Sequence, residues 1–155
     1  GKDFEENAIL KAKNAFTKTN ISSVGDDSGL IVPAINDEPG LYSARYAGLN
    51  ATDSDNRNKL ISKLKDKKLE STYAYFFCCI VAVGIKDQNE VIVCDGKVEG
   101  EVRTIERGEK GFGYDPMFYP KGYSESFAEL SSLEKNRISH RGQALRKLMD
   151  KLNKA

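Results

Sequence analysis

Apolar positions recur along this chain first with a helical period and later with a strand-like one, and the switches mark out the elements. Phe4, Ala8, Ala12, Ala15 and Phe16 share one face of a helix predicted over residues 3–18, with Asp3 and Glu6 at capping-box spacing at its start. A short strand near residues 22–24 leads into Asp26-Asp27-Ser28-Gly29, and residues 30–32 form a second short strand. Residues 33–50 are rich in turn formers. Thr52 or Asp53 caps a helix over residues 53–65 with Leu60, Ile61 and Leu64 inward. Residues 72–85 read as the strongest strand, so rich in aromatic and β-branched residues that burial on both faces follows. Asp87-Gln88-Asn89 is a turn, and residues 90–98 and 101–105 read as two further strands, the first its hairpin partner. Residues 108–120 are loop-like, with Phe118 and Tyr119 closing the loop on the sheet. Residues 133–138 form a short helix, and residues 141–152 a last one with Leu145, Leu148, Met149 and Leu152 inward. Hairpins between helices predict an α/β or α+β fold with a mixed sheet, without repeats or a domain linker.

The 155 residues suffice for one domain with a real core, and 39% apolar content with seven Phe and seven Tyr is too rich for disorder. Charged residues make up 30%, yet the net charge is only +1, which lacks the basic excess of a duplex nucleic-acid binder. The longest apolar run, residues 76–83, is too short to span a bilayer, and no membrane partner is expected. No secretory signal is read at the start, which lacks a Met and resembles the middle of a protein. Cys78, Cys79 and Cys94, with one His and no Cys-x-x-Cys spacing, argue against zinc and for reduced, mostly buried thiols in a cytoplasmic protein.

Chemistry concentrates in three places. Adjacent carboxylates at Asp26 and Asp27 repel, and make sense with a divalent cation between them and a phosphate. Hard oxygen ligands favour Mg²⁺, with one carboxylate on the metal and the other orienting or deprotonating a water. The same tetrapeptide also suits a tight turn. Glu6 could reach the cation or simply complete the cap with Asp3; Lys11 and Lys13 read as ordinary helix residues. Gly111-Phe112-Gly113-Tyr114-Asp115-Pro116 is neither a dinucleotide fingerprint nor a P-loop. It reads as a flexible loop presenting Phe112 and Tyr114 to stack on a base, or as a glycine turn with core-packed aromatics. Lys135, His140 and Arg141 offer donors near a helix start for an anion or a carbonyl oxygen, or are solvated charge there. No Ser sits in a nucleophile elbow.

In order along the chain, five segments carry a resemblance. They are Phe4-Glu5-Glu6-Asn7-Ala8-Ile9-Leu10-Lys11-Ala12, Asp26-Asp27-Ser28-Gly29-Leu30, Pro39-Gly40-Leu41-Tyr42-Ser43-Ala44-Arg45-Tyr46, the Gly111–Pro116 loop, and Glu134 through Leu145 with its Ser139-His140-Arg141-Gly142 core. Together they resemble the inosine/xanthosine triphosphate pyrophosphatase family, the house-cleaning enzymes for non-canonical purine nucleotides. The resemblance implies an elongated, two-lobed α/β fold around a central mixed sheet with flanking helices, the site in a cleft between lobes, and a homodimer. It implies Mg²⁺-dependent hydrolysis of ITP, dITP or XTP between the α- and β-phosphates. By position, it makes Asp27 the general base and a metal ligand, and Glu6 and Asp26 further metal carboxylates. Ser28 would contact substrate. Phe112, Gly113, Tyr114 and Asp115 would form the base loop, and Lys135, His140 and Arg141 would contact the base. The family's opening strand with its Ser/Thr-x-Asn-x-x-Lys motif, and the helix and strand after it, are expected to be missing: Asn20, Asn36 and Asn50 are not followed by Lys in that setting. A related pyrophosphatase for other modified nucleotides, or a nucleotide-binding module without turnover, are the competing readings.

Overall fold

The computed structural model describes residues 1–154. Its elements in chain order are helix α1 (Phe4–Thr19), strand β1 (Ser23–Val32), β2 (Glu38–Pro39), α2 (Asp53–Asp66), β3 (Ser71–Val83), β4 (Val91–Arg103), β5 (Phe118–Pro120), α3 (Ser132–Ile138) and α4 (His140–Asn153). Short 3₁₀ turns stand at Pro33–Ile35, Gly40–Arg45 and Asp115–Met117. The strands form one five-stranded sheet in the order β2-β1-β3-β4-β5. Ile31 pairs with Pro39 and Val32 with Glu38, while Gly100 faces Pro120 and Val102 faces Phe118, both antiparallel. The expected α/β fold with flanking helices is therefore realised, and these pairings are antiparallel.

The described residues divide into two compact units: Gly1–Ser28 with Phe77–Lys97 and residues 139–154, and Gly29–Phe76 with Val98–Ile138. In the first unit, Ala8 and Ala12 of α1 are buried with Cys79, Val81 and Val83, and Ala144 and Leu148 of α4 with Cys78, Ile80, Ala82 and Cys94. The second unit has the larger core. Leu30, Val32, Leu60, Leu64, Phe76, Phe118 and Phe127 belong to it, and the last three rings pack with centroids 4.7–5.9 Å apart.

Several local expectations change. Residues 22–32 are not two short strands around a turn: β1 runs unbroken through Asp26-Asp27-Ser28-Gly29. The strands expected over residues 90–98 and 101–105 are likewise one strand, β4, from Val91 to Arg103. Two glycines within β4 serve close approach. A Cβ on Gly96 would lie 1.9 Å from the His140 carbonyl oxygen, and one on Gly100 2.2 Å from that of Tyr119. Seating α4 on Gly96 brings its small residue Ala144 inward. Leu145 and Met149, read as core, turn outward at 46% and 54% exposure. Ala15 of α1 is exposed for a similar reason: the small Ala8 and Ala12 carry the contact. β3 is buried on both faces only in its second half, Cys78 onward.

The caps follow the sequence closely. Asp3 accepts from the Glu6 N–H at 2.7 Å, although Glu6 reaches back to the Lys2 N–H rather than to Asp3. Thr52 and Asp55 form a reciprocal capping box on α2, and Ser139 accepts from the Gly142 N–H at 3.0 Å at the start of α4.

Candidate active site

Strand geometry sorts the acidic pair. Side chains alternate across a strand, so Gly25 and Asp27 share one face and Asp26 takes the other. Gly25 lies against α1 so closely that a Cβ there would stand 2.6 Å from both the Ala12 nitrogen and the Ala8 carbonyl oxygen. That contact brings Asp27 beside α1. Its Oδ2 accepts from Asn7 Nδ2 at 3.0 Å, and its Oδ1 accepts from Lys11 Nζ at 2.8 Å. Lys11 also donates to the Asp26 carbonyl at 2.8 Å, so one ammonium ties backbone and side chain of the pair. On the other face, Arg141 near the start of α4 donates through one terminal nitrogen to Asp26 Oδ2 at 2.9 Å and Ser28 Oγ at 3.3 Å. The like charges at residues 26 and 27 are thus separated and each met by a cation, which lets them sit mid-strand.

Glu6 does not join them; its carboxylate accepts from the Lys2 N–H. No group of three His, Cys, Asp or Glu side chains able to hold a metal ion occurs among the described residues. The donor chemistry nevertheless fits Mg²⁺, which takes hard oxygens and is commonly held by one or two carboxylates with substrate phosphates completing the shell. His140 is 9% exposed, behind Ser139 and on the first turn of α4. Cys78 is fully buried near Arg141; burial pushes its thiol up to about 11 against the opposing pull of that guanidinium.

The second unit holds the glycine loop. Phe112 is 61% exposed, whereas Tyr114 is buried, so the expectation that both aromatics are presented holds for Phe112 alone. The Tyr114 hydroxyl donates to the Ser43 carbonyl at 2.7 Å, and burial, followed by the Asp53 charge, holds its pKa well above the usual phenol range. Ser43 Oγ in turn accepts from the Leu30 N–H at 3.0 Å and donates to the Gly40 carbonyl at 2.6 Å. The Pro39–Tyr46 segment thereby ties this loop to the end of β1. Asp115 is buried and accepts from the Phe112 N–H at 3.0 Å and from Lys135 Nζ at 2.5 Å. Lys135 Nζ also stands 4.7 Å from the Phe112 ring centroid. Lys135 is therefore grouped with Phe112 and Asp115, while Arg141 is grouped with Asp26 and Ser28.

Sequence reasoning gave Asn7, Ser43 and Arg57 no role of their own, read Lys11 as an ordinary helix residue and offered Asp53 only as a helix cap. Asn7 and Lys11 are spaced i, i+4 on the helix that also carries Ala8 and Ala12, a signal available in the sequence. The Ser/Thr-x-Asn-x-x-Lys pattern, expected to be missing, does occur at Ser54-Asp55-Asn56-Arg57-Asn58-Lys59. It lies on α2, where Asn56 is buried, accepting from the Ala47 N–H and donating to the Ala44 carbonyl, a scaffold role.

Residues 1–151 match the Ham1 family. A dITP/XTP pyrophosphatase of Idiomarina loihiensis is 47% identical over 154 residues, 99% of this chain and 76% of that protein. One of Bacillus anthracis is 46% identical, over 98% of this chain and 75% of that protein. Among solved structures, a HAM1 protein from Coxiella burnetii superposes with a TM-score of 0.92 at 43% identity, covering 100% of this chain and 79% of that one. The Staphylococcus aureus Ham1 protein gives 0.89 at 44% identity, with 99% and 78% covered.

Proposed function

The chain belongs to the Ham1 family, and from that membership and the braced carboxylate pair on β1 we propose that it hydrolyses non-canonical purine nucleoside triphosphates to the monophosphate and pyrophosphate. The observation that carries the reading is Asp27, held mid-strand by Asn7 and Lys11. Asp27 is the general base. It takes a proton from a water whose oxygen bonds to the α-phosphorus, while the bond to the bridging oxygen breaks and pyrophosphate leaves. Lys11 and Asn7 fix the orientation of that carboxylate. Asp27 and Asp26 would hold Mg²⁺ with substrate oxygens, Glu6 would join them only on leaving the Lys2 N–H, and the ion would neutralise the triphosphate charge.

Base recognition falls to Phe112, which stacks, and to Lys135, His140 and Arg141, which donate, while Ser28 contacts the substrate. Gly113, Tyr114 and Asp115 shape the loop that carries Phe112. Hypoxanthine and xanthine present a 6-oxo acceptor where adenine presents an amino donor. A site built of donors leaves adenine opposed, and discrimination on the order of 10⁴ is within reach of such mismatched polar groups. Guanine shares the 6-oxo group, so its exclusion acts at position 2. The homodimer that the resemblance implies belongs to this reading, as does a cytoplasmic location, which three free, buried thiols suited to a reducing compartment support.

The test is Asp27→Asn, which removes the charge at nearly constant shape. Pyrophosphate release from ITP with Mg²⁺ is expected to fall on the order of 10²-fold or more, as loss of a general base predicts. Near-normal turnover by this variant overturns the assignment.

A further inference from the structure

The loop that carries Phe112 is held by polar contacts from α2 that neither cap the helix nor fill a core. Thr52 and Asp55 already cap α2, which leaves the Asp53 carboxylate for another partner. Its Oδ2 accepts from the Gly113 N–H at 2.8 Å. One helical turn on, the Arg57 guanidinium donates from one terminal nitrogen to the Gly113 carbonyl at 2.8 Å, while its Nε is anchored on Glu106. Both backbone groups of one glycine are therefore gripped by two side chains spaced i, i+4.

That glycine needs gripping. Gly111 and Gly113 both adopt left-handed backbone, at φ +74° and +61°. A Cβ on Gly111 would lie 2.1 Å from Asp115 Oδ2, but one on Gly113 would meet nothing within 4 Å. Glycine at 113 therefore answers to conformation rather than to space, and such a residue loses the most freedom on ordering. Tyr114 joins Leu60 and Leu64 of α2 in the core, but the α2 side of Gly111 and Phe112 is not packed. A cavity of about 380 Å³ opens there, lined by Asp53, Arg57, Lys110, Gly111, Phe112 and Pro116 among others.

We propose that Asp53 and Arg57 are positioning residues for base recognition: by clamping the Gly113 peptide they pre-set the orientation of Phe112, and hence the preference among purine bases. This rests on the function proposed above, in which Phe112 stacks on the base. A clamped loop meets the base already ordered; an unclamped one must be ordered on binding, which weakens binding without touching the phosphate chemistry.

The experiment compares Arg57→Ala, Arg57→Lys, Asp53→Ala and Asp53→Asn in the same protein. Hydrogen exchange of the peptide spanning residues 108–116 reads the clamp without substrate. It is expected to speed up in both Ala variants, with β3 unchanged and with partial recovery in Asp53→Asn, which keeps an acceptor. Kinetically, KM for ITP should rise about 3- to 10-fold with kcat within about twofold, and the ITP preference over ATP should narrow. In a Phe112→Ala background, Arg57→Ala should add nothing further, because both act through one ring. Unchanged loop exchange, full additivity with Phe112→Ala, or an equal fall in kcat for ITP and ATP overturns the proposal. An unaltered protein that releases no pyrophosphate from ITP refutes the function instead, and hydrogen exchange still decides whether the clamp exists.

Discussion

Gly25→Ala tests whether the seat of β1 on α1 orients the proposed base. The added Cβ would lie 2.6 Å from two backbone atoms, the Ala8 carbonyl oxygen and the Ala12 nitrogen, and 3.0 Å from the Lys11 Cβ. Because the nearest atoms are backbone, no side-chain rearrangement relieves them. Ordinary contact begins at 3.4 Å, so strand and helix must part by 3.4 − 2.6 = 0.8 Å. Overpacking of this kind costs about 1–3 kcal/mol. For a chain of this size each kcal/mol lowers Tm by about 2–4 °C, giving an expected fall of about 2–12 °C. The same 0.8 Å would stretch Asn7–Asp27 from 3.0 to 3.8 Å, beyond a hydrogen bond. Lys11 is long and its side chain is 56% exposed, so it can follow Asp27; Asn7 is short and cannot. Turnover of the folded enzyme should therefore drop by about 3- to 10-fold, the scale of one lost orienting hydrogen bond. The assays are thermal unfolding followed by dye or circular dichroism, and pyrophosphate release at saturating ITP well below the variant's Tm. A variant with wild-type Tm and turnover would refute the argument at its root. A lowered Tm with unchanged turnover would refute only the step from packing to Asp27.

Other perturbations test the neighbouring residues. Arg141→Ala should weaken ITP use more than ATP use if the guanidinium reads the base; an equal loss for both would assign it to holding Asp26 and Ser28. Burial pushes the Cys78 and Cys79 thiols up to about 11. The folded state therefore keeps protons that the unfolded state releases above about pH 8.5, so stability is full below that pH and falls as pH climbs toward about 11. A urea midpoint that drops more steeply over this window in wild type than in Cys78→Ala is the expected outcome. Rapid reaction of all three thiols with a disulfide reagent at pH 8, before any urea, would contradict it.

The sequence by itself determined the order of the elements and the caps that start the helices. Asp3 and Thr52 work through hydrogen bonds to N–H groups a few residues away, so no distant partner is needed to see them as caps. It also carried the motif order that the Ham1 match bears out, because that signal is linear. What needed the tertiary structure was whatever depends on a partner remote in sequence. Asp26-Asp27-Ser28-Gly29 reads locally as a cation site or a tight turn between two short strands; Arg141, 115 residues away from Asp26, and Lys11 on α1 supply the charge that lets it run as a strand. Gly96 and Gly100 have no visible role until the carbonyls of His140 and Tyr119 are seen pressed against them. The inward face of α4 was misread for the same cause. Periodicity counts the large apolar residues Leu145 and Met149, but a helix seated on a glycine turns its smallest residue inward, here Ala144. Nor does local sequence distinguish Phe112 from Tyr114. One ring is exposed and the other buried because the Tyr114 hydroxyl finds the Ser43 carbonyl, 71 residues away.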